Sequence, residues 1–92
     1  MPLTIEHDRN SHRFTALVDD HLCLLEYRLA GGVMTITHTG VPTPVRNRGI
    51  AAELVRSAFQ AARNEGWQVV PACSYAAAFA RRHSEYADLI VD

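Results

Sequence analysis

The sequence contains no lysine; all nine basic residues are arginine. Set against ten acidic residues they leave a formal net charge of −1, so no overall field draws the chain to nucleic acid or to an anionic membrane, and neither partner is expected. The missing lysine is read mainly as compositional bias, although a guanidinium grips phosphate well. There is no apolar run long enough to span a bilayer, and Met1–Asp8 lacks the pattern of a signal peptide, so a cytoplasmic location is expected. Cysteine is scarce: Cys23 and Cys73 are the only two, and in a cytoplasmic chain both read as free thiols. Metal-ligand clusters are missing too. His7 and His12 flank a polar turn with no third ligand at a sensible spacing, so no metal site is expected. Repeats, low-complexity tracts and linkers are absent, and 92 residues make one domain spanning 1–92, with a small core that needs no staple.

What remains is an ordinary hydrophobic fraction, 48%, arranged in two different periods. The first half alternates. Leu3–His7 and Arg13–Val18 read as strands joined by the polar turn Asp8-Arg9-Asn10-Ser11, and Asp19-Asp20 makes the next turn. In His21–Leu29, Cys23, Leu25, Tyr27 and Leu29 share one face, while Glu26 and Arg28 share the other with Leu22 and Leu24. Ala30-Gly31-Gly32 turns the chain into Val33–Thr39, with Met34, Ile36 and His38 on one side. The second half changes period. Ala51, Leu54, Val55, Ala58, Phe59 and Ala62 form one stripe of a helix from Ala51 to Glu65, closed by Gly66. Trp67–Val70 is a short buried strand, Ser74 a helix cap, and Tyr75 to about His83 a second helix, with one more turn or short strand in Glu85–Asp92. The fold class is therefore mixed α+β: four antiparallel strands, helix, strand, helix. A strand that follows a helix predicts one parallel pair, whose C-terminal ends can splay into a cleft.

The most informative stretch is Arg46-Asn47-Arg48-Gly49-Ile50-Ala51, between the last strand of the meander and the first helix. The first N–H groups of a helix have no intrahelical acceptor and carry the positive end of its dipole, so they hold anions. Gly49 leaves them uncovered, and Arg46 or Arg48 adds charge-assisted bonds. The junction reads as a phosphate cradle.

Arg46-x-x-Gly49-x-Ala51 resembles the pyrophosphate loop of the GCN5-related N-acetyltransferases. Pro71-x-Cys73-x-Tyr75, Phe79 and His83-Ser84-Glu85-Tyr86-x-Asp88-Leu89, with His38-Thr39 and Glu26-Tyr27 upstream, resemble the minimal YjdJ-type members, over essentially the whole chain. The resemblance implies a truncated acetyltransferase fold without the N-terminal helices that shape the acceptor site. It implies acetyl-CoA, or coenzyme A, as the ligand, and names no acceptor.

On that resemblance Arg46, Asn47, Arg48, Gly49, Ile50 and Ala51 would hold the pyrophosphate, while Thr39, Gly40 and Val41 would pair their backbone with pantetheine as an added strand. Pro42 and Pro44 stiffen the connector. Cys73 lies at a strand end beside a helix start, a setting that favours thiolate, and would sit near the thioester; either it takes the acetyl group covalently or it packs as a small hydrophobe. In direct transfer the base would be His38, with Glu26 as a second candidate through water, and Tyr75 would be the acid. Cys23 reads as core, and His83 and Tyr86 as packing of the last helix. Two functions stay open: an N-acetyltransferase acting on an unidentified amine, and a non-catalytic CoA- or acyl-CoA-binding module. The chain is expected to be a monomer or, through its edge strands, a weak dimer.

Overall fold

A computed structural model describes residues 3–91. The expected domain limits at 1 and 92, and the end of the tail at Asp92, lie outside the described residues. Strands β1 (Glu6–Asp8), β2 (Arg13–Val18), β3 (His21–Ala30) and β4 (Val33–Gly40) form an antiparallel meander. After a 3-10 turn (Thr43–Val45) come helix α1 (Ile50–Glu65), strand β5 (Gln68–Pro71), helix α2 (Ser74–Arg82) and a 3-10 segment (Ser84–Leu89). β5 lies at the edge beside β4 and runs parallel to it, so the sheet order is β1-β2-β3-β4-β5. The mixed α+β reading and the single parallel pair are both met.

Local chemistry explains the turns. Asp8 Oδ1 accepts from the N–H groups of Asn10 and Ser11, each at 3.1 Å, closing the first hairpin. Asp19 and Asp20 both take positive φ, 49° and 65°, in the two-residue turn that joins β2 to β3. Gly66 ends α1 at φ 77°, and the Trp67 N–H returns to the Ala62 carbonyl at 2.8 Å, satisfying the last turn. The first strand is shorter and later than expected: Glu6–Asp8 instead of Leu3–His7, because only those residues find partners in β2.

The core follows the alternation. Phe14, Ala16, Cys23, Leu25, Tyr27, Met34 and Ile36 are buried on one face of the sheet beneath Leu54, Val55, Ala58, Phe59 and Ala62 of α1. Burial pushes the Cys23 thiol up, as suits a core position. α2 packs on β4, β5 and α1, where Phe79 and Tyr86 each meet Phe59 edge-on at 5.5 and 5.2 Å between centroids. Arg63 ties the C-terminal segment to α1 by donating twice to Asp88, both at 3.0 Å, and to the Glu85 carbonyl. No residue of the opposite sheet face, which carries Arg13, Thr15, Leu17, Leu22, Leu24 and Glu26, is buried. Among the described residues no helix is long and apolar enough to cross a membrane.

At the end of the sheet remote from the α1 N-terminus, the His7 ring stacks on Phe14 at 4.0 Å, and its Nε2 lies 2.7 Å from the Tyr27 hydroxyl. Burial, helped by the charge of Arg9, holds His7 below the usual imidazole range. A depressed histidine contributes stability that is complete above the unfolded value, about 6.5, and is lost as pH falls through the folded value. The melting temperature should therefore drop between pH 7.5 and pH 5, and His7→Phe, which keeps the stack, should flatten that slope. An unchanged slope in the variant would assign the loss to other groups.

Candidate functional site

The site begins where β4 and β5 part. Of β4, β5 pairs with Val33–Ile36 only, and the last link is the Cys73 N–H donating to the Ile36 carbonyl at 3.0 Å; on its other side Val69 forms a parallel bridge with Ile90. β5 then turns away into α2, while β4 continues to Gly40 with β3 as its one strand neighbour. The splayed pair expected from the element order is present.

A bulge interrupts β4 at this point. Tyr27 pairs with Ile36 and Glu26 with His38, so Thr37 is an extra residue, its hydroxyl donating to the Glu26 carbonyl at 3.3 Å. Strict alternation put His38 on the side of Met34 and Ile36; the bulge reverses this. His38 stands opposite Glu26 on the uncovered face, and Thr39, opposite Leu25, joins the covered one. No feature of the sequence announces a bulge at a threonine within a β-branched run.

The loop after β4 is built to hold one shape. Val45 is 1% exposed and pins the 3-10 turn into the core, a role that the sequence reading missed although a valine between Pro44 and Arg46 hints at it. The Val45 and Arg46 N–H groups donate to the Pro42 and Thr43 carbonyls at 3.0 and 3.2 Å, and Arg46 Nε donates to the Val41 carbonyl at 2.9 Å. Asn47 and Gly49 take positive φ, 66° and 77°. Gly49 is the N-cap of α1 and offers no side-chain acceptor to the first turn, so the N–H groups of Ile50, Ala51 and Ala52 lack a protein partner from the cap. A Cβ on Gly49 would meet nothing within 4 Å. The space before the helix is open.

These elements enclose a cleft of about 440 Å³, lined by His38, Thr39, Gly40, Val41, Arg46, Asn47, Gly49, Ile50, Ala51 and Tyr75. Every one of these residues was expected at the site. Its size falls in the range of small-molecule sites, about 300–1,000 Å³. Three expected residues are not on its wall. Arg48 turns away and pairs with Asp19 at 2.7 Å. Glu26 lies on the uncovered face, 4.0 Å from Arg13. Cys73 sits just behind Thr39, its sulfur 3.5 Å from the threonine hydroxyl.

Cys73, and not Ser74, is the N-cap of α2: its sulfur accepts the Ala76 N–H at 3.3 Å. The bond to Ile36 holds Cys73 extended (φ −83°, ψ 148°), as a cap must be, and Ser74 becomes the first helical residue. Tyr75 follows, 40% exposed, at the cleft wall.

A second, larger cleft of about 580 Å³ lies on the other side of the loop and shares Ile50 with the first. Its fixed cation, Arg48, is already paired with Asp19, and Glu53 adds another carboxylate, so it suits an anion poorly. The bare helix start favours the smaller cleft.

Comparison with known proteins bears on the fold and the family. The solution structure of a GCN5-like protein from Staphylococcus aureus superposes with a TM-score of 0.76, covering 97% of this chain and 88% of that one at 23% identity, a likeness of fold. Protein NATD1 of Bos taurus is 29% identical over 89% of this chain and 75% of its own length. The Homo sapiens NATD1 is 31% identical over 80% of this chain and 68% of its own length. Residues 13–89 match the family model described as GCN5-related N-acetyl-transferase, so the chain belongs to the GCN5-related N-acetyltransferase family.

Proposed function

We propose that the chain is an acetyl-CoA-dependent N-acetyltransferase of the minimal YjdJ type, transferring acetyl directly to an amine. One observation carries the reading: a single cleft gathers the unpaired end of β4, an uncapped helix start and a tyrosine. The donor set suits coenzyme A. Ile50, Ala51 and Ala52 present free N–H groups to a pyrophosphate, and Arg46, fixed through Nε, keeps its terminal nitrogens for the same charge. The edge of β4 from His38 to Gly40 offers backbone groups to the amides of an extended chain. Bound acetyl-CoA supplies an acyl thioester at the fork.

The remaining work falls to side chains. His38 stands at the cleft wall and takes the proton of the attacking amine. Glu26 is its cross-strand partner on the uncovered face. The Tyr75 hydroxyl is the proton donor for the departing thiolate. Cys73 holds the fork: its sulfur caps α2 and bridges to Thr39 on β4.

Acetyl-CoA at about a hundredfold its Kd should add about 2.7 kcal/mol to stability, read as a rise in melting temperature. Release of CoA with an amine panel then separates an enzyme from a binding module; no thermal shift would remove both. In the same assay Cys73→Ser, whose hydroxyl can still cap Ala76, should keep turnover near wild type, whereas Cys73→Ala should lose about 1 kcal/mol of stability with the cap. Loss of turnover by orders of magnitude in a folded Cys73→Ser protein would transfer the chemistry to a covalent thiol.

A further inference from the structure

The helices cover one face of the sheet, and on the other the strand register sorts the side chains into rows. Asp8, Arg13, Glu26 and His38 are successive cross-strand partners from β1 to β4, so acid and base alternate along the row. The next row toward the β2–β3 turn is Glu6, Thr15, Leu24 and Gly40, and beyond it Leu17 faces Leu22. Leu17 and Leu22 are 69% and 49% exposed, large aliphatic side chains whose burial would be favourable. Arg13 and Glu26 stand 4.0 Å apart with side chains 39% and 43% exposed, so their own pairing is loose and both keep capacity for a second partner.

A face ordered in this way complements its own copy. With a two-fold axis set along the strands, between β2 and β3, and a second sheet stacked about 10 Å away, each row faces the same row reversed. Arg13 then meets the partner's Glu26, Leu17 meets the partner's Leu22, and Thr15 meets the partner's Leu24, every contact being made twice. Asp8 and the partner's His38 fall opposite one another at the rim. Stacked sheets cross at about −30°, so the match is closest beside the axis, on β2 and β3. At the hairpin tips the acidic pair Asp19 and Asp20 approaches its copy, a cost that Arg48 lowers by pairing with Asp19. We propose that the uncovered face is an isologous homodimer interface with this axis. Four strands about 4.8 Å apart, taken over about six residues, give a face of roughly 20 by 20 Å, at the low end of specific interfaces. The dimer is therefore weak and reversible, with a Kd on the order of 100 µM. Edge-to-edge pairing through β1 is the competing arrangement, and it would leave both leucines in water.

The test is sedimentation equilibrium across concentrations that span the expected Kd, with amide NMR shifts followed on dilution. A monomer–dimer equilibrium is expected, with the dilution shifts centred on β2 and β3. Leu17→Arg should weaken it about tenfold or more, and Leu22→Arg serves if the first variant does not melt cooperatively. The decisive arm is a charge exchange. Arg13→Glu and Glu26→Arg should each be monomeric alone, because each then carries like charges at all four central positions of its own dimer. An equimolar mixture of the two should associate at least as tightly as the wild-type chain, because it sets an acidic pair against a basic one. A wild-type chain that stays monomeric, a dimer indifferent to both leucine variants, or folded charge variants that do not associate on mixing would overturn the proposal. Dilution shifts confined to β1 would also overturn it, in favour of edge pairing.

Discussion

Gly49→Glu is expected to lower acetyl-CoA affinity by on the order of a hundredfold or more, measured by calorimetry on protein that still melts cooperatively. The new carboxylate would stand at the start of α1, where a cofactor phosphate is to accept the N–H groups of Ile50, Ala51 and Ala52. Losing two hydrogen bonds to a charged group costs about 3 kcal/mol, which is about a hundredfold in Kd. Repulsion between carboxylate and phosphate adds to it. Gly49 also sits at φ 77°, where a residue with a Cβ is strained by about 1–2 kcal/mol. That second effect acts on folding, so it needs its own control. Gly49→Asn supplies one, because asparagine visits the left-handed region and carries no charge. The Asn variant should bind with a modest loss while the Glu variant does not bind. A folded Gly49→Glu protein with near-native affinity would show that the phosphate lies elsewhere.

The loop was legible because its physics is local. A glycine that must adopt positive φ, two prolines and a helix start are all contiguous in sequence, and ten residues singled out from that neighbourhood and from Tyr75 do line one cleft. The core was legible for the same kind of reason: Cys23, Leu25 and Tyr27 alternate along β3, and the α1 stripe repeats at helical spacing. One change within that stripe is instructive. The helix begins at Ile50, one residue earlier than expected; Ile50 is buried, whereas Ala51 is half-buried at the cleft. What could not be read depends on pairing between strands. The extra residue at Thr37 is defined only by where Tyr27 and Glu26 fall across from it. Arg48 was a plausible phosphate ligand by position, yet Asp19, 29 residues away, claims its guanidinium. Cys73 displaced Ser74 as the cap because β4, not the helix, fixes its backbone.

His38→Gln should reduce the rate of acetyl transfer by about 10²–10⁴, the usual worth of a general base, with acetyl-CoA affinity much less affected. Glutamine keeps a polar side chain of similar reach at the cleft wall but takes up no proton, so the loss should appear in kcat. Position matters as much as identity. The imidazole lies over Gly40, where an added methyl group would come within 3.0 Å of Nε2. Gly40→Ala is tolerable to the backbone, since Gly40 is not among the glycines with positive φ, and the ring can swing aside. It should therefore fold normally and yet transfer acetyl more slowly. Glu26→Gln extends the same logic: it removes the charge opposite His38 without changing shape, and should cost less than His38→Gln itself. If His38→Gln turned over at the wild-type rate, the proton would have to leave by solvent, and the bulge that brings His38 to face Glu26 would be a feature of packing alone.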